Sequence, residues 1–269
     1  MPEGYTTEAV DTILGSYRDQ NENLSSKKPT IISIMNESFS DLSVIGDINT
    51  DNYLPYFHSL KDDSGTLEYG YDYVSVRGGG TVNTEYEALT GFSVENEKGA
   101  TPFVQYNFGS ISSIPKLLQE QGYETIAVHP YFRTSYHRNK VYPEMGFDEY
   151  ISRESFEEDP FELRREYYSD QGDYEKIVEL YEQKGSSPIY IHNVTIQNHG
   201  GYEGIAALSN PSSAIALDTQ YPYDDLCEYE TMMKASDDAL KYLISYFKEA
   251  SSGSVGRNES LIWQQGRDI

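Results

Sequence analysis

The chain has 269 residues, which suits one large α/β domain or two small ones. Acidic residues outnumber basic ones by 44 to 20, and the formal net charge is −24. This balance argues against nucleic acid as a partner, because binding to phosphates requires clustered Lys and Arg. Cys227 is the only cysteine, which excludes an internal disulfide and a cysteine-based zinc site. We interpret it as a small buried side chain on a helix.

Strand-like and helix-like segments alternate along the chain, which favours βαβ units and a parallel sheet. Residues 1–27 are polar and are predicted to be a linker that contains one short helix. Apolar runs of strand length predict strands buried on both faces, and apolar residues at helical spacing predict helices. The predicted strands are 30–35, 67–76, 123–128 and 188–194, and the predicted helices lie within 51–60, 86–89, 111–118, 169–181 and 226–247.

A glycine-rich stretch, Gly78–Gly80, precedes Thr81 and a helix-like segment. Successive glycines let the backbone turn sharply and approach a ligand, and the start of a helix offers free N–H groups to a phosphate. Thr81 is therefore either a helix cap or a nucleophile, and residue type alone favours the cap. Thr84 and Glu87 fit a capping box, which would supply the cap and leave Thr81 free for chemistry.

Polar residues also follow other predicted strands, where ligands gather in open α/β sheets. Glu37 follows the first strand and is either a metal ligand or a surface carboxylate. His129 and His199 follow later strands, whereas His192 lies within a strand and is interpreted as a packed side chain. Arg138 would bind a phosphate through two N–H groups, although a solvated loop charge is the commoner case. A carboxylate together with a hydroxyl nucleophile suits divalent-metal phosphoryl transfer.

Four motifs, in this order, resemble those of the sulfatase-type lipoteichoic acid synthase and phosphoglycerol transferase family, whose members share the alkaline phosphatase superfamily fold. The motifs are ISIMNESF at 32–39, GGGTVNTEYE at 78–87, HPY at 129–131 with Arg138 and GFD at 146–148, and QNHG at 197–200. The resemblance covers residues 28–249. It implies an α/β fold with a mostly parallel sheet and helices on both faces.

The resemblance also implies the site and the reaction. Glu37 and Thr81 would be ligands of Mn²⁺ (or Mg²⁺), with Thr81 as the nucleophile. Tyr136, where the family often has Trp, together with Arg138 and His199 would line a glycerol-phosphate pocket, with His129 near it. Glycerol phosphate would pass from a phosphatidylglycerol-type lipid through a phospho-threonine to a glycerol-phosphate polymer or glycan acceptor, with release of diacylglycerol. The expected location is the extracellular face of a bacterial cytoplasmic membrane, behind an anchor that this chain lacks.

The chain departs from the family pattern near its C-terminus. The family completes its metal site with an Asp-His pair after a later strand, but no Asp-His dipeptide occurs here. Residues 250–269 are interpreted as an atypical polar tail without a strand. The catalytic domain, 28–249, is therefore expected to be C-terminally incomplete and impaired.

Two alternative functions remain open at the level of the sequence. The first is a sulfatase or phosphodiesterase of the same fold, which Thr81 disfavours because sulfatases usually carry Cys or Ser at the nucleophile position. The second is a non-catalytic domain that binds a glycan or a lipid headgroup, which the missing Asp-His pair favours.

Overall fold

The computed structural model describes residues 6–18, 28–70, 74–76, 79–97, 99–156, 163–164, 166–216, 220–252 and 260–265. The strands are β1 (Thr30–Met35), β2 (Glu124–His129), β3 (Glu149–Ser152), β4 (Leu163–Arg164), β5 (Tyr167–Tyr168), β6 (Ile189–Val194) and β7 (Ser260–Gln265). The helices are α1 (Thr7–Arg18), α2 (Pro55–Ser59), α3 (Thr81–Thr90), α4 (Pro102–Gln105), α5 (Ile114–Glu120), α6 (Arg138–Glu144), α7 (Arg153–Phe156), α8 (Asp170–Gln183) and α9 (Asp224–Ser252).

The central sheet has the strand order β3-β2-β6-β1-β7, and all of its neighbouring strands run parallel. On one face, Ile32 belongs to the same hydrophobic cluster as Ile177 of α8 and Leu243 of α9. On the other face, Tyr190 shares a second cluster with Val82 of α3. Both faces are covered, which explains why the strands read as continuous apolar runs. The predicted α/β fold, a mostly parallel sheet flanked by helices on both faces, is confirmed.

Segments with strong local patterns fold as predicted. β1 has the predicted bounds, and β6 begins one residue later than predicted. Ser169 caps α8, since its side chain accepts a hydrogen bond from the Gly172 N–H group. Cys227 lies buried on the long helix α9, as interpreted. In the described part of the chain, no helix is both long and apolar enough to cross a membrane.

Two expectations about strands are wrong. The predicted strand 67–76 is not formed by its described residues, 67–70 and 74–76; residues 71–73 lie outside the described part. Leu67 is 88% exposed, so it has no packing surface that would favour a strand. The segment 260–265, expected to have no strand, forms β7 and pairs in parallel with β1 along its whole length. The sheet thus gains an edge strand from a C-terminal segment whose apolar pattern is too weak to predict one.

Smaller differences involve short segments. β3 was not predicted, because four residues are too few for a clear pattern; its register with β2 supplies the partner that defines it. The charged stretch 153–175 contains the antiparallel pair of β4 and β5, which was also not predicted. The division into a linker at 1–27, a domain at 28–249 and a tail at 250–269 stays a prediction.

Candidate active site

The end of β1 and the start of α3 bring Glu37 and Thr81 together. The Thr81 hydroxyl donates a hydrogen bond to Glu37 Oε2 at 3.0 Å, and the Ser38 hydroxyl donates to Glu37 Oε1 at 3.1 Å. Glu37 is only 4% exposed, although it was equally consistent with a surface carboxylate in the sequence. A buried carboxylate and a hydroxyl in contact are the arrangement that the phosphoryl-transfer hypothesis requires.

The glycine-rich turn places Thr81 as the first residue of α3. Gly80 precedes it with φ +78°, a left-handed conformation that glycine adopts without a steric penalty. The predicted capping box at Thr84 and Glu87 is wrong, because both residues lie inside the helix and no side chain caps its start. Glu87 instead accepts a hydrogen bond from the Val94 N–H group at 2.7 Å. The N–H groups at the helix start are thus not used by a capping side chain, which suits a phosphate.

Buried hydrogen bonds hold the backbone of Glu37. The Glu37 N–H group donates to Thr195 Oγ1 at 3.0 Å, and that hydroxyl donates to Asn36 Oδ1 at 3.1 Å. Asn36 in turn donates to the Tyr174 hydroxyl of α8 at 3.0 Å. The sequence analysis did not single out Asn36 or Thr195. Each directly follows a buried strand, and β1 and β6 are neighbours, so their position at strand ends was the available signal.

Two buried carboxyl groups lie on the first turn of α8, behind this network. Burial raises the pKa of Asp170 to about 6, although hydrogen bonds from Ser236 and other groups oppose the shift. Burial raises the pKa of Asp173 well above its ordinary value, and Asp170 adds to that shift, whereas a hydrogen bond from Asn193 opposes it. The interior beneath the site therefore favours the protonated form of these two acids up to a higher pH than water does.

Arg138 forms a buried ion pair with Glu85, a residue that the sequence analysis did not identify. Its Nε and Nη2 atoms donate to Glu85 Oε2 at 3.3 and 2.9 Å, and the Tyr142 hydroxyl donates to Oε1 at 2.5 Å. Glu85 is 0% and Arg138 2% exposed, so Arg138 is not the solvated loop charge that is commoner. Burial alone would raise the pKa of Glu85. The positive charge of Arg138, together with His192 and a hydrogen bond from Tyr142, has the larger effect and lowers this pKa to about 2.

His192 packs beside this ion pair. Its Nδ1 atom lies 2.9 Å from Ser33 Oγ, its Nε2 atom lies 3.7 Å from Glu85 Oε1, and its ring stacks on Phe147. The side chain is 1% exposed, which confirms the interpretation of a packed histidine.

The feature of the sequence that could have identified Glu85 is its position four residues after Thr81, on the same face of α3.

The other predicted pocket residues occupy different environments. His129 is buried, and its Nδ1–H group donates to the Val194 carbonyl at 2.7 Å. Burial, assisted by the charge of Arg138, lowers the His129 pKa to about 3, so its ring is neutral. Tyr136 is 44% exposed, and its ring centre lies 5.7 Å from the Arg138 guanidinium. His199 is exposed.

Aromatic rings connect two of these residues. The ring of Tyr131 lies 5.9 Å from that of His129 and 6.3 Å from that of Tyr167, and Tyr167 lies 5.7 Å from His199. The structure therefore forms two direct groupings of predicted site residues, Glu37 with Thr81 and Arg138 with Tyr136. The rings of Tyr131 and Tyr167 link His129 to His199.

Glu37 and Thr81 supply two hard oxygen ligands, which fits part of the coordination shell of Mn²⁺ or Mg²⁺. Among the described residues, no group of three or more His, Cys, Asp or Glu side chains could hold a metal ion. The pair thus fits a divalent cation only if further ligands come from elsewhere.

A family model of sulfatases matches residues 29–254 of the chain. A Rhizobium meliloti protein named for cyclic beta-1,2-glucan modification is 30% identical over 259 residues, which cover 94% of this chain and 38% of that protein. The lipoteichoic acid synthase of Staphylococcus saprophyticus is 24% identical over 184 residues, or 64% of this chain and 27% of the synthase. The chain thus spans well under half the length of these relatives.

The fold is also similar to that of a solved transferase. The Streptococcus pyogenes phosphoglycerol transferase GacH, solved with sn-glycerol-1-phosphate, aligns with a TM-score of 0.73 and 19% identity over 92% of this chain and 66% of that chain. This likeness establishes the architecture. The family match across most of the chain leads to one assignment: the chain belongs to the sulfatase family.

Proposed function

We propose that the chain is the catalytic part of a phosphoglycerol transferase in which Thr81 carries the transferred group. The observation that supports this most strongly is the 3.0 Å hydrogen bond from the Thr81 hydroxyl to the buried Glu37 carboxylate, at the start of α3. The carboxylate orients the hydroxyl, and the helix start favours a phosphate beside it. The relatives named for phosphoglycerol transfer and lipoteichoic acid synthesis support the same reaction class.

In the proposed first step, Thr81 Oγ forms a bond to phosphorus and the bond from phosphorus to the diacylglycerol oxygen breaks. The proton that Thr81 loses is balanced by the proton that the departing diacylglycerol oxygen gains. In the second step an acceptor hydroxyl attacks phosphorus, the bond to Thr81 breaks, and the acceptor's proton is balanced by the one that Thr81 regains. Glycerol phosphate thereby moves from a phosphatidylglycerol-type lipid to a glycerol-phosphate polymer or glycan.

We propose that Glu37 and Thr81 also hold a Mn²⁺ or Mg²⁺ ion, together with further ligands. Such an ion would lower the pKa of the hydroxyl and neutralise charge on the phosphate. Its occupancy can be measured by calorimetry with Mn²⁺ alone. We expect Glu37→Gln to weaken Mn²⁺ binding at least tenfold, and equal binding by this variant would exclude Glu37 as a ligand.

The remaining predicted residues are proposed to bind the glycerol phosphate. Arg138 would contact phosphate oxygens and Tyr136 would cover the site from its exposed position. His129 is neutral with its proton on Nδ1, so its Nε2 atom is an acceptor and suits a glycerol hydroxyl better than a phosphate oxygen. His199 would line the side of the pocket next to the Tyr167 ring. We propose that the reaction takes place at the extracellular face of a bacterial cytoplasmic membrane.

The test is a search for the covalent intermediate. The chain is incubated with Mn²⁺ and phosphatidylglycerol vesicles, and the mass of the intact protein is measured. We expect a glycerol-phosphate adduct on Thr81 in the wild type, a reduced amount in Thr81→Ser, and none in Thr81→Val, which keeps the side-chain shape. Glu37→Gln should slow adduct formation by roughly 100-fold or more. An unmodified wild type, or an adduct that survives in Thr81→Val, would refute the proposal.

A second candidate function is a non-catalytic domain that binds a glycan or headgroup. It is favoured by the finding that no cluster of three metal-binding side chains occurs in the described part of the chain. This candidate predicts that sn-glycerol-1-phosphate binds equally well with EDTA and in Glu37→Gln. The transferase predicts weaker binding in both cases, so one calorimetric series separates the two functions.

A further inference from the structure

Glu85 and Thr81 lie one turn apart on α3, so both project from the same face of the helix. Thr81 contacts Glu37, which follows β1, whereas Glu85 contacts Arg138, the first residue of α6. One helix therefore joins the proposed nucleophile to the proposed phosphate-binding arginine. Helices are stiff, so a side chain that anchors Arg138 to α3 also sets its position relative to Thr81.

Glu85 restrains the guanidinium from two directions. Glu85 Oε2 accepts from Nε and Nη2 of Arg138, and the Tyr142 hydroxyl holds the other carboxylate oxygen. Among the described residues, no hydrogen bond involves the Nη1 atom of Arg138, so this atom is available to another acceptor. An arginine has rotatable bonds along its whole side chain, and fixing these bonds costs conformational entropy. Because the contact with Glu85 already fixes them in the free protein, anion binding carries a smaller entropic cost.

The backbone that leads into Arg138 is strained. Tyr136 and His137 both have positive φ angles, of 48° and 60°, although neither is a glycine. Left-handed conformations at consecutive non-glycine residues cost free energy and persist only where the surrounding structure enforces them. The ion pair to Glu85 directly follows this segment, so it is placed to hold both the strained turn and the exposed ring of Tyr136.

We infer that Glu85 is a positioning residue, which fixes the Arg138 guanidinium at a set distance from Thr81 so that its Nη1 side meets the phosphate of a glycerol-phosphate group. This inference rests on the proposed function. It differs from a purely stabilising role, because it predicts an effect on anion affinity in folded protein. The inference also predicts the direction of the change, since removal of Glu85 should weaken anion binding. If Glu85 only neutralised Arg138, its removal would free a positive charge and tighten anion binding.

The test measures sn-glycerol-1-phosphate binding by calorimetry for wild type, Glu85→Gln and Glu87→Gln. Glu87→Gln is the matched control, because it makes the same chemical change two residues further along α3, where the side chain bonds to the Val94 N–H group. We expect Glu85→Gln to weaken binding at least tenfold and Glu87→Gln to change it less than twofold. Unchanged or tighter binding in folded Glu85→Gln would overturn the inference.

Two further readouts separate positioning from loss of fold. The NMR signal of the Arg138 Nε–H group should be sharp in wild type and Glu87→Gln, and should broaden in Glu85→Gln while circular dichroism stays unchanged. If Glu85→Gln does not fold, Tyr142→Phe carries the test, with an expected weakening of about threefold and normal binding as the contradicting result. A wild type that binds no glycerol phosphate would count against the proposed function itself, whereas normal wild-type binding with an insensitive Glu85 would count against Glu85 alone.

Discussion

Individual residues in this protein acquire their chemistry from burial. Asp170 accepts a hydrogen bond from the Ser236 hydroxyl, yet no water reaches its side chain. Glu85 is equally buried, but it faces the Arg138 guanidinium and remains ionised. The pKa values of these two buried carboxyl groups are thus shifted in opposite directions, because among the described residues Glu85 has a cationic partner and Asp170 has none.

The raised pKa of Asp170 predicts how stability depends on pH. Between its ordinary value of 3.8 and about 6, the folded chain holds a proton that the unfolded chain has lost, so the free energy of unfolding should fall as pH rises through this range. Asp170→Asn removes the ionisable group while keeping an acceptor for Ser236. Relative to wild type, the variant should gain roughly 2 kcal/mol between pH 4 and pH 7.

Urea denaturation at the two pH values measures this difference. Asp225→Asn, which changes an exposed carboxylate of α9 and keeps Asp170, is the control, and its stability should fall with rising pH as that of wild type does. A difference between Asp170→Asn and wild type that stays constant with pH would contradict the prediction.

Among the secondary-structure elements, α3 contributes most to the site. It begins with Thr81, carries Glu85 one turn later, and covers one face of the sheet through Val82. Glycines with positive φ stand at both ends, Gly80 at +78° and Gly91 at +74°. The helix is therefore stopped at both ends by backbone conformation rather than by side-chain caps.

These two glycines give a matched pair of substitutions. Gly80→Ala and Gly91→Ala should each lower the free energy of unfolding by about 1–2 kcal/mol, because both introduce a Cβ at positive φ. Only Gly80→Ala adds a contact, with Val76 Cγ1 at 3.1 Å, and only Gly80 adjoins Thr81. We expect adduct formation on Thr81 to slow at least tenfold in Gly80→Ala and to be unchanged in Gly91→Ala. Equal rates in both variants would show that the turn does not position the nucleophile.

At the scale of the whole molecule, the sheet brings the candidate site residues together at its strand ends. The net charge affects the approach of charged molecules. The neighbouring strands β2, β6 and β1 end near His129, Thr195 and Glu37 respectively. The chain also carries a formal charge of −24, which repels anionic lipids and polymers. Local positive groups such as Arg138 must therefore act at short range.

This charge predicts an unusual response to salt. Raising the ionic strength from 10 to 150 mM shortens the screening length from about 30 Å to about 8 Å, which should weaken the repulsion from phosphatidylglycerol vesicles. The KM for these vesicles should fall severalfold, while the KM for vesicles diluted with a neutral lipid should change less. Stopped-flow measurement of vesicle association checks the same effect, and slower association at high salt would contradict it.

Much of the fold followed from local pattern. The apolar run of β1 and the helical spacing in α8 and α9 are properties of neighbouring residues, and burial of these elements reinforces them. The pairing of Glu37 with Thr81 was expected because both residues follow predicted strands, although the described residues of the strand predicted before Thr81 do not form one. β7 was missed because its partner, β1, lies more than two hundred residues away in the chain.

The sequence by itself determined the fold class, the family and the polar residues at the strand ends. The spacing of apolar residues and the order of the motifs can both be read directly along the chain. Only the tertiary structure decided which of these residues are buried and which charges meet. Glu85 and Arg138 are 53 positions apart, and no local pattern records that α3 and α6 bring them together. Burial then sets their protonation and their place in the site, since the energy of a charge depends on the surroundings that the whole fold creates.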